Sequence, residues 1–538
     1  MASITIPYAV ADFIEIRERG FYYVDKTQYI AKLEDYKAPV FLRPRRFGKS
    51  LLVSTLACYY DRTKAHRFEE LFGDTWIGNH PTKEHNRYMI IRYDFSAMVM
   101  SDHIQGLAQN FNDLNCGPVE VMVAHNRDLF GDFEFSNRGD ASKMLEEVLT
   151  YARSHELPKV YILIDEYDVP IAKASSNGYY KEMLEVMKAM LSTALKDNEA
   201  LKFAVVTGCL KIAKESVFTG TNNFVSDTIS SERYNEYYGF TQKDVDQILQ
   251  DAQIEEKASD IKEWYDGYRF GEFDVYCPWD VMNYLWDLTN NQNAKPVSYW
   301  KNTSDNAIIR SFIDYSGAAI KKKLEILISG GSIRQQIEEN LTYDYLHSSE
   351  ENLWSILYLT GYLTNASEQD TDGTIELKIP NKEIKEIFET TVKKWFEDNA
   401  KTIDRKELFD AVWTGNADIL TKEIGTLLRM TISYHDYKED FYHAFLAGIF
   451  AGAGYVVESN KEHGEGRSDI VIYDDYEGKV AIFEAKKSQN PEDMILDCEK
   501  AIKQINEKMY ANEFEDAYDE ILCYGISFFK KRCLVKKK

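Results

Sequence analysis

Several features that define common protein classes are missing from this sequence. The seven cysteines are odd in number and form no Cys-x-x-Cys pair, which argues against a disulfide framework and against a zinc site. No stretch approaches the roughly 18 apolar residues that a membrane helix needs, and charges come too early at the N-terminus for a signal peptide. Tandem repeats and long low-complexity linkers are absent too. We therefore expect a cytoplasmic protein without a membrane partner and with closely docked domains.

An excess of basic residues is also missing, because the formal net charge of the 538 residues is −24. The protein as a whole repels nucleic acid, so any contact with DNA has to come from a local basic patch. The final nine residues, KKRCLVKKK, are one candidate, and a solubilising chain end explains them equally well. The 10 histidines do not cluster and suggest neither a Ser-His-Asp triad nor a zinc site. His443 lies near Glu439, where the pattern favours a core or capping histidine over one that faces a site.

Two apolar stretches near the C-terminus, SDIVIYDD and KVAIFEAKK, carry charged residues and are joined by the turn-like YEGK. Because strand side chains alternate between faces, Glu484 and Lys486 point the same way and Ala485 turns into the core. An antiparallel hairpin would bring Asp469 close to Glu484. Two adjacent carboxylates repel each other unless a cation lies between them, and such oxygen ligands suit Mg²⁺ or Mn²⁺. Lys486 would then orient a metal-bound water for phosphodiester hydrolysis; a solvated strand is the alternative.

The elements around this hairpin resemble the PD-(D/E)xK nuclease superfamily. The segments FYHAFLAGIFAGAG, YVVESNKE, the hairpin, PEDMILDCEKAIKQINEKMYA and EILCYGISFF predict the order α-β-β-β-α-β. We expect the apolar side of the second helix to consist of Ile495, Cys498, Ile502, Ile505 and Met509. The resemblance implies that Asp469 and Glu484 bind the metal and act in catalysis with Lys486.

Members of that superfamily often add a Glu on the first helix and a Gln on the second. The matching positions in this sequence are Glu439, in KEDFYH, and Gln504, in KQINEKMY. We expect both residues to support the catalytic site.

A second candidate site lies near the N-terminus, in FLRPRRFGKSLL. An apolar strand, APVFL, runs into a loop that ends Gly48-Lys49-Ser50, and the helix LLVSTLACYY follows. This arrangement aims backbone N–H groups and the helix dipole at an anion. Lys49 would reach the β and γ phosphates of ATP, and Ser50 would bind Mg²⁺. The usual first glycine of such a loop is Arg43 here, which requires an ordinary backbone conformation at that residue; a basic turn before a helix is the alternative.

A downstream strand, KVYILIDEYDVP, ends in Asp165 and Glu166. Its continuous apolar run is typical of a parallel sheet covered on both faces, and the carboxyl edge of such a sheet collects ligands. Asp165 would hold Mg²⁺ through water, and Glu166 would polarise the attacking water as a catalytic residue. The next strand, LKFAVVTGC, places Thr207 where a polar side chain senses the γ-phosphate. An acidic strand end without a function is the alternative, and the Gly-Lys-Ser loop argues against it.

Ordered motifs over nearly the whole chain resemble the AAA-ATPase-like family of bacterial proteins, namely YYVDKTQYI, RPRRFGKS, LIDEYD, KESVFTGTNNF, WYDGYRFG and VYCPWDVMNYL. The loop of that family typically reads RPRRFGKS, and its members are commonly fused to a PD-(D/E)xK domain. The resemblance implies ATP as a cofactor. The expected nucleotide-binding residues are Arg45, Arg46, Gly48, Lys49, Ser50, Leu51, Asp165 and Thr207, with Ser50 and Asp165 at the metal. Defence against foreign DNA is only an association.

The predicted protein is of the α/β class and has four regions. Residues 1–230 form a P-loop NTPase-type parallel sheet domain, and 231–300 form a helical lid with a Thr-capped helix at GFTQKDVDQIL. Residues 301–430 form a mostly helical middle region compatible with a winged-helix-like module, and 431–538 form a restriction-endonuclease-like αβββαβ domain. The aromatic residues of WYDGYRF are expected to pack the lid and not to stack on bases.

The leading hypothesis is a nucleotide-regulated, metal-dependent nuclease that acts on DNA, with assembly into a homo-oligomer left open. The main alternative is a signalling ATPase whose nuclease-like domain only binds nucleic acid or a protein partner. The acidic net charge favours this alternative, whereas the three intact nuclease residues oppose it. A DNA-translocating motor ranks last, because the sequence contains no further helicase motif.

Overall fold

The structure is a computed structural model, which describes residues 4–99, 101, 103–195, 199–211, 224–231, 233–300, 309, 318–339, 341, 349–367, 373–402, 406–430, 439–451, 455–463 and 466–538. The chain forms two compact units. Unit 1 consists of Met1–Ser304 and Ser332–Lys385, and unit 2 consists of Asp305–Gly331 and Glu386–Lys538.

The strands of the described residues are β1 Ala38–Leu42, β2 Met89–Asp94, β3 Val160–Asp165, β4 Leu201–Gly208, β5 Phe224–Asp227, β6 Tyr268–Phe270, β7 Phe273–Val275, β8 Ile333–Gln336, β9 Thr364–Asn365, β10 Thr374–Lys378, β11 Val456–His463, β12 Gly466–Asp474, β13 Lys479–Lys487, β14 Glu520–Phe529 and β15 Arg532–Lys537.

The α-helices of the same residues are α1 Phe13–Glu18, α2 Ile30–Leu33, α3 Lys49–Tyr60, α4 Phe68–Phe72, α5 Trp76–Asn79, α6 Ile104–His125, α7 Arg127–Phe130, α8 Ala141–Ser154, α9 Val169–Ser176, α10 Tyr180–Leu195, α11 Gln242–Ala252, α12 Ala258–Tyr265, α13 Pro278–Asn290, α14 Ala318–Ile328, α15 Glu350–Leu359, α16 Lys382–Thr402, α17 Lys406–Thr414, α18 Ala417–Met430, α19 Glu439–Ala451 and α20 Met494–Glu507. Among the residues described, no helix is both long and apolar enough to cross a bilayer.

Unit 1 contains the predicted parallel sheet, in the order β2-β3-β4-β1-β5. Every residue of β1 and of β3 is buried, as expected for strands covered by helices on both faces. Strand β4 lies between β1, which leads into the Gly-Lys-Ser loop, and β3, which ends in Asp165. The carboxyl ends of these three strands therefore meet at one edge of the sheet.

The predicted lid helices are present in unit 1 as α11 to α13. Thr241 caps α11 with a full capping box, because its side chain accepts from the backbone N–H of Asp244 and the Asp244 side chain accepts in return. Three of the four aromatic residues of WYDGYRF are buried, namely Tyr265, Tyr268 and Phe270, and Trp264 is half-buried. These residues therefore pack in the interior and do not form a stacking platform. Much of the KESVFTGTNNF motif lies outside the described residues.

The middle of the chain contains the expected helix, α15, and the expected strand pair, β9 and β10. Strand β8 pairs with the other side of β10, so these strands form an antiparallel sheet in the order β8-β10-β9. The winged-helix-like interpretation stays a prediction.

Unit 2 contains a five-stranded mixed sheet in the order β11-β12-β13-β14-β15, in which only the β13–β14 pairing is parallel. Helices α17, α18 and α19 pack on one face of this sheet, and α20 packs on the other. The predicted order α-β-β-β-α-β is confirmed.

Two details of unit 2 differ from the sequence analysis. The basic chain end is not a free tail, because β15 pairs antiparallel with β14 and buries Cys533 and Val535. The expectation that Ile495 and Met509 lie on the apolar side of α20 is also wrong, since they are 54% and 40% exposed. Cys498 and Ile505 are buried as expected, and Met494 and the small Ala501 complete the buried stripe.

Candidate functional site

The loop between β1 and α3 has the backbone conformation that a phosphate-binding loop needs. Gly48 caps α3 with φ = 81°, in the left-handed region that favours glycine, and a Cβ atom there would meet nothing within 4 Å. Arg46 also has a positive φ, of 73°, which is strained for a residue with a side chain. The first turn of α3 therefore presents its backbone N–H groups to an open space.

Lys49 is buried at the centre of this loop. Its Nζ donates hydrogen bonds to the carbonyl oxygens of Arg43, at 3.1 Å, and of Pro44, at 3.0 Å, and lies 3.5 Å from Oε1 of Glu166. Burial lowers the pKa of Lys49, but Cys209 and the surrounding carboxylates outweigh burial, so the pKa lies above its usual value. The ammonium group is therefore charged and fixed where the loop curves around it.

Arg43, which replaces the usual glycine, turns away from the loop. Its backbone is not among those with a positive φ, so the condition set by the sequence is met. The buried guanidinium donates to the backbone oxygen and to Oδ1 of Asp227, both at 2.8 Å, and to Oδ1 of Asn235 at 3.0 Å. Arg43 thus links the end of β1 to the end of β5 and is a structural residue.

The structure brings the predicted Ser50, Asp165 and Thr207 together at the edge of the sheet. The hydroxyl of Thr207 donates to Oδ1 of Asp165, and the side chain of Ser50 also hydrogen bonds to this carboxylate. Burial raises the pKa of Asp165, and both hydroxyl groups and Lys49 oppose that rise. Glu166 follows with φ = 53°, an uncommon conformation that sets its side chain beside Lys49.

A cavity of about 340 Å³ opens in front of this loop. Its lining includes the loop and the first turn of α3, from Arg46 to Leu52, together with Glu166. The predicted Leu51 is part of this lining. Nη1 of Arg46 is buried without a hydrogen-bond partner and belongs to a residue that lines the cavity. Arg45 is exposed on the loop and does not line it. The guanidinium of Arg46 lies over the rings of Trp279 and Trp300, which leaves Nη1 for a ligand. Helix N–H groups, one ammonium and this N–H group fit an anionic polyphosphate, and the volume is in the range of ligand pockets.

The nuclease-like residues of unit 2 meet across the β12–β13 hairpin. The register pairs Ile470 with Phe483, so Asp469 comes opposite Glu484, as predicted. Oδ2 of Asp469 accepts a hydrogen bond from the backbone N–H of Ala485 at 2.7 Å, and Nζ of Lys486 donates to Oε1 of Glu484 at 2.9 Å. Two carboxylates and one ammonium therefore share one strand edge.

Glu484 is fully buried and only partly compensated. Burial and the neighbouring Asp469 raise the pKa of Glu484 to about 7, and Lys486 opposes this rise. Its Oε2 atom has no hydrogen-bond partner. Within the described ranges, no group of three or more His, Cys, Asp or Glu residues gathers to hold a metal. Two carboxylates are nevertheless enough for Mg²⁺, which keeps several waters, so Asp469 and Glu484 fit such an ion.

The remaining predicted residues of this site have mixed outcomes. Gln504, on α20, donates to the hydroxyl of Tyr510 at 3.4 Å. Burial raises the pKa of Tyr510, and the charges of Glu484 and Asp469 contribute, so this pair lies close to the carboxylates. Glu439 is the first residue of α19, but its side chain lies outside the described residues.

His443, on α19, was assigned a core or capping role by its pattern. The structure places its Nε2 atom 3.3 Å from Oδ2 of Asp469, so this buried histidine contacts the site. Helical spacing from Glu439 was the available signal, because residues four apart lie on the same side of a helix.

Comparisons with known proteins match the two regions of the chain that contain these sites. Residues 7–218 match a family model described as a predicted AAA-ATPase, and residues 437–538 match the model of the PD-(D/E)XK nuclease superfamily. The chain therefore contains an AAA-ATPase-like domain and a PD-(D/E)XK nuclease superfamily domain.

A relative and a solved structure were also found. The "Uncharacterized protein in vnfD 5'region" of Azotobacter chroococcum mcd 1 is 25% identical over 546 residues, which cover 98% of this chain and 97% of the relative. The structure of Drosophila ORC bound to AT-rich DNA and Cdc6 is 7% identical, with a TM-score of 0.16 over 70% of this chain and 93% of that chain. A score this low carries no argument.

The sequence analysis missed some residues that hold the two domains' sites in place. In the AAA-ATPase-like domain, Asp168 accepts hydrogen bonds from the backbone N–H groups of Cys209 and Leu210, at 3.1 and 3.0 Å, and so fixes the end of β4. In the nuclease-superfamily domain, Tyr510 was missed. Asp168 is the final residue of the motif LIDEYD, but a motif does not distinguish a residue that contacts a ligand from one with a structural role.

Proposed function

We propose that the chain is a nucleotide-regulated, metal-dependent nuclease that cleaves DNA. The observation that carries the proposal is the buried, unpartnered Oε2 atom of Glu484 beside Asp469 and Lys486. A buried carboxylate oxygen without a partner costs free energy, and a bound cation removes that cost. Asp469 and Glu484 would hold Mg²⁺ or Mn²⁺, which supplies an activated water and neutralises charge on a phosphodiester.

The surrounding residues orient this site and supply a positive charge. Lys486 is fixed by its hydrogen bond to Glu484, so its ammonium group stabilises negative charge that develops on the phosphate oxygens. The backbone N–H of Ala485 and the ring of His443 both contact Oδ2 of Asp469 and hold this carboxylate in one orientation. Gln504, with Tyr510, and Glu439 would support the site.

In the AAA-ATPase-like domain, the proposed ligand is ATP with Mg²⁺. Lys49, Arg46 and the N–H groups at the start of α3 would bind the phosphates, and Ser50 and Asp165 would hold the metal. Glu166 would polarise the attacking water, and Thr207 would sense the γ-phosphate through its hydrogen bond to Asp165. Nucleotide binding would then control cleavage, with homo-oligomer formation as one route.

A cleavage experiment on full-length protein tests this proposal. Supercoiled and linear plasmid are incubated with Mg²⁺ or Mn²⁺, with and without ATP. We expect Glu484→Ala and Lys486→Ala to lower the cleavage rate at least about 100-fold, because each removes a group that acts on the developing charge. The matched control is Lys487→Ala, which removes an exposed lysine one residue away.

The nucleotide part of the proposal has its own arm. Lys49→Ala should abolish the effect of ATP on cleavage and leave the metal-dependent chemistry in place. Equal cleavage rates of Lys486→Ala, Lys487→Ala and the unchanged protein would refute the assignment of cleavage to this site.

A second candidate is a signalling ATPase whose nuclease-superfamily domain binds without cutting. The formal net charge of −24 favours it, since the protein as a whole repels a polyanion. ATP hydrolysis without cleavage of DNA or RNA under any condition would select this candidate. The salt dependence of DNA binding would then separate a nucleic-acid binder from a protein that binds another partner.

A further inference from the structure

The cavity of unit 1 extends beyond the phosphate-binding loop into a region lined by the N-terminal segment, by residues just before α11 and by α13. The lining there is mostly apolar and includes Val10, Val24, Phe240 and Met282. A planar base with a polar edge suits such a region, in which a few polar groups decide which base is accepted. The inference drawn from this region rests on the proposed binding of a nucleotide.

Most polar side chains of this lining are already engaged with the protein. Tyr22, Lys26 and Thr27 each donate to a carboxylate of unit 1. The hydroxyl of Tyr237 is buried without a partner, but a hydroxyl both donates and accepts and therefore does not set the identity of a base.

Asn283, within the VYCPWDVMNYL motif, is different because its amide has a fixed orientation. The side chain is 4% exposed and lines the cavity. Its Nδ2 donates to the carbonyl oxygen of Trp279, one turn earlier on α13, at 2.6 Å. A flipped amide would set two oxygens against each other, so Oδ1 is the atom left over. Oδ1 makes no hydrogen bond to any residue described, and it is not among the atoms sealed from solvent.

We infer that Asn283 selects adenine, because its Oδ1 atom accepts a hydrogen bond from the exocyclic 6-amino group of the base. Guanine and hypoxanthine carry an oxygen at the same position, which would face Oδ1 as a second acceptor. A buried acceptor that faces another acceptor loses its hydrogen bond and stays desolvated. Sites built in this way discriminate strongly against a base that lacks the matching donor.

Equilibrium binding to the full-length protein tests the inference. ATP, inosine triphosphate and N6,N6-dimethyl-ATP are titrated by calorimetry in the presence of Mg²⁺. Inosine triphosphate replaces the 6-amino group by oxygen, and the dimethyl analogue removes both of its protons. We expect the unchanged protein to bind ATP about tenfold more tightly than either analogue, since one hydrogen bond is lost and one acceptor is left unpaired.

Substitution of the residue provides the second arm. Asn283→Leu should bring ATP and inosine triphosphate to within about twofold of each other, because neither base then meets an oriented acceptor. The control is Asn290→Leu. Asn290 lies on the same helix and likewise donates to the carbonyl oxygen four residues earlier, that of Trp286, but it is exposed.

The outcomes separate this inference from the proposed function. Equal binding of ATP and both analogues by the unchanged protein overturns the role of Asn283 and leaves nucleotide binding intact. A preference for ATP that survives Asn283→Leu also overturns it. Binding of no nucleotide at all overturns both. If Asn283→Leu fails to fold, the analogue series with the unchanged protein still decides.

Discussion

The two candidate sites differ in how they treat buried charge. In the AAA-ATPase-like domain, Arg43 is matched by Asp227, Lys49 by loop carbonyls and Glu166, and Asp165 by two hydroxyl groups. In the nuclease-superfamily domain, one oxygen of Glu484 has no partner, and the pKa of this residue rises to about 7. The first site matches most of its buried charge and leaves Nη1 of Arg46 for a ligand, whereas the second leaves a buried carboxylate oxygen unpaired, at a free-energy cost that a cation would remove.

The difference follows from the local architecture. At the edge of a parallel sheet, a helix N-terminus and several strand ends converge, so many donors and acceptors are within reach of each charge. At the edge of a hairpin, the two strands offer fewer groups, and the backbone N–H of Ala485 already serves Asp469. Substitutions should therefore destabilise the first site and stabilise the second.

The largest expected effect is the loss of a matched charge, in Arg43→Ala. This substitution removes the buried partner of Asp227 and leaves only the longer, 3.7 Å ion pair with the exposed Arg233, which should lower the free energy of unfolding by about 3–5 kcal/mol. Urea denaturation of the full-length protein measures the change. The control is Arg45→Ala, an exposed arginine of the same loop, which should change stability by less than about 0.5 kcal/mol. Similar effects of the two substitutions would show that Arg43 is not structural.

Arg43 also shows how far the sequence alone could lead. The loop, the acidic strand end and the D…ExK hairpin were predictable because each depends on residues close together in the chain or on the period of a strand. The partner of Arg43 lies 184 residues away, and no local pattern connects the two. The exposed Ile495 shows the opposite limit, because helical spacing predicted an apolar face, but tertiary packing buried the neighbouring Met494 instead.

His443 illustrates a third reason for the limits of sequence analysis. A single histidine in an apolar helix is more often a core residue than a ligand, and only the packing of α19 against the sheet brings His443 to Asp469. The site residues on the strands were therefore predictable from the sequence, whereas the contact of His443 with the site depends on tertiary packing.

The second prediction removes the uncompensated charge, in Glu484→Gln. The pKa of Glu484 is about 7 in the folded protein and about 4.3 in an unfolded chain, so the folded state holds its proton more tightly. The stability of unchanged protein therefore falls as pH rises from about 4 to 7 and stays low above that range. Without metal at pH 8, Glu484→Gln should raise the free energy of unfolding by about 1–3 kcal/mol while it abolishes cleavage.

Metal addition sharpens this second prediction. Mg²⁺ or Mn²⁺ should stabilise the unchanged protein against thermal unfolding and have a much smaller effect on Glu484→Gln. The reason is that the neutral amide of glutamine binds a divalent cation much more weakly than the carboxylate of Glu484 does. Glu492→Gln, at an exposed position, is the control and should leave both the pH profile and the metal effect unchanged. A Glu484→Gln protein that is less stable than the unchanged one at pH 8 would show that the buried carboxylate of Glu484 does not destabilise the fold.

The smallest expected effect concerns an intermediate case in unit 1, the buried pair Asp280 and Glu383. Burial, and then the charge of Asp280, raise the pKa of Glu383 well above its usual value, so Glu383 retains its proton. Oε2 of Glu383 and Oδ1 of Asp280 have no other partner, and this proton can be shared between the two carboxyl groups. Oε1 of Glu383 also accepts from the backbone N–H of Trp300 at 2.9 Å. The pair thus compensates itself with one shared proton and needs no cation.

Glu383→Gln should test this self-compensation, because a glutamine both donates to Asp280 and accepts from Trp300. At neutral pH we expect a change in unfolding free energy within about 1 kcal/mol, whereas Glu383→Ala should cost about 1–3 kcal/mol by leaving buried groups unpaired. The unfolded chain loses the Glu383 proton above about pH 4.3 and the folded protein keeps it, so the unchanged protein loses stability as pH rises. Urea denaturation at intervals of about one pH unit between pH 5 and 8 measures this dependence. The unfolding free energy of Glu383→Gln should depend less on pH than that of the unchanged protein. If the stability of Glu383→Gln still falls as pH rises, the shared proton does not lie on Glu383. Unit 1 would then also contain an uncompensated buried carboxylate, and the two units would differ only in how much buried charge is left unmatched.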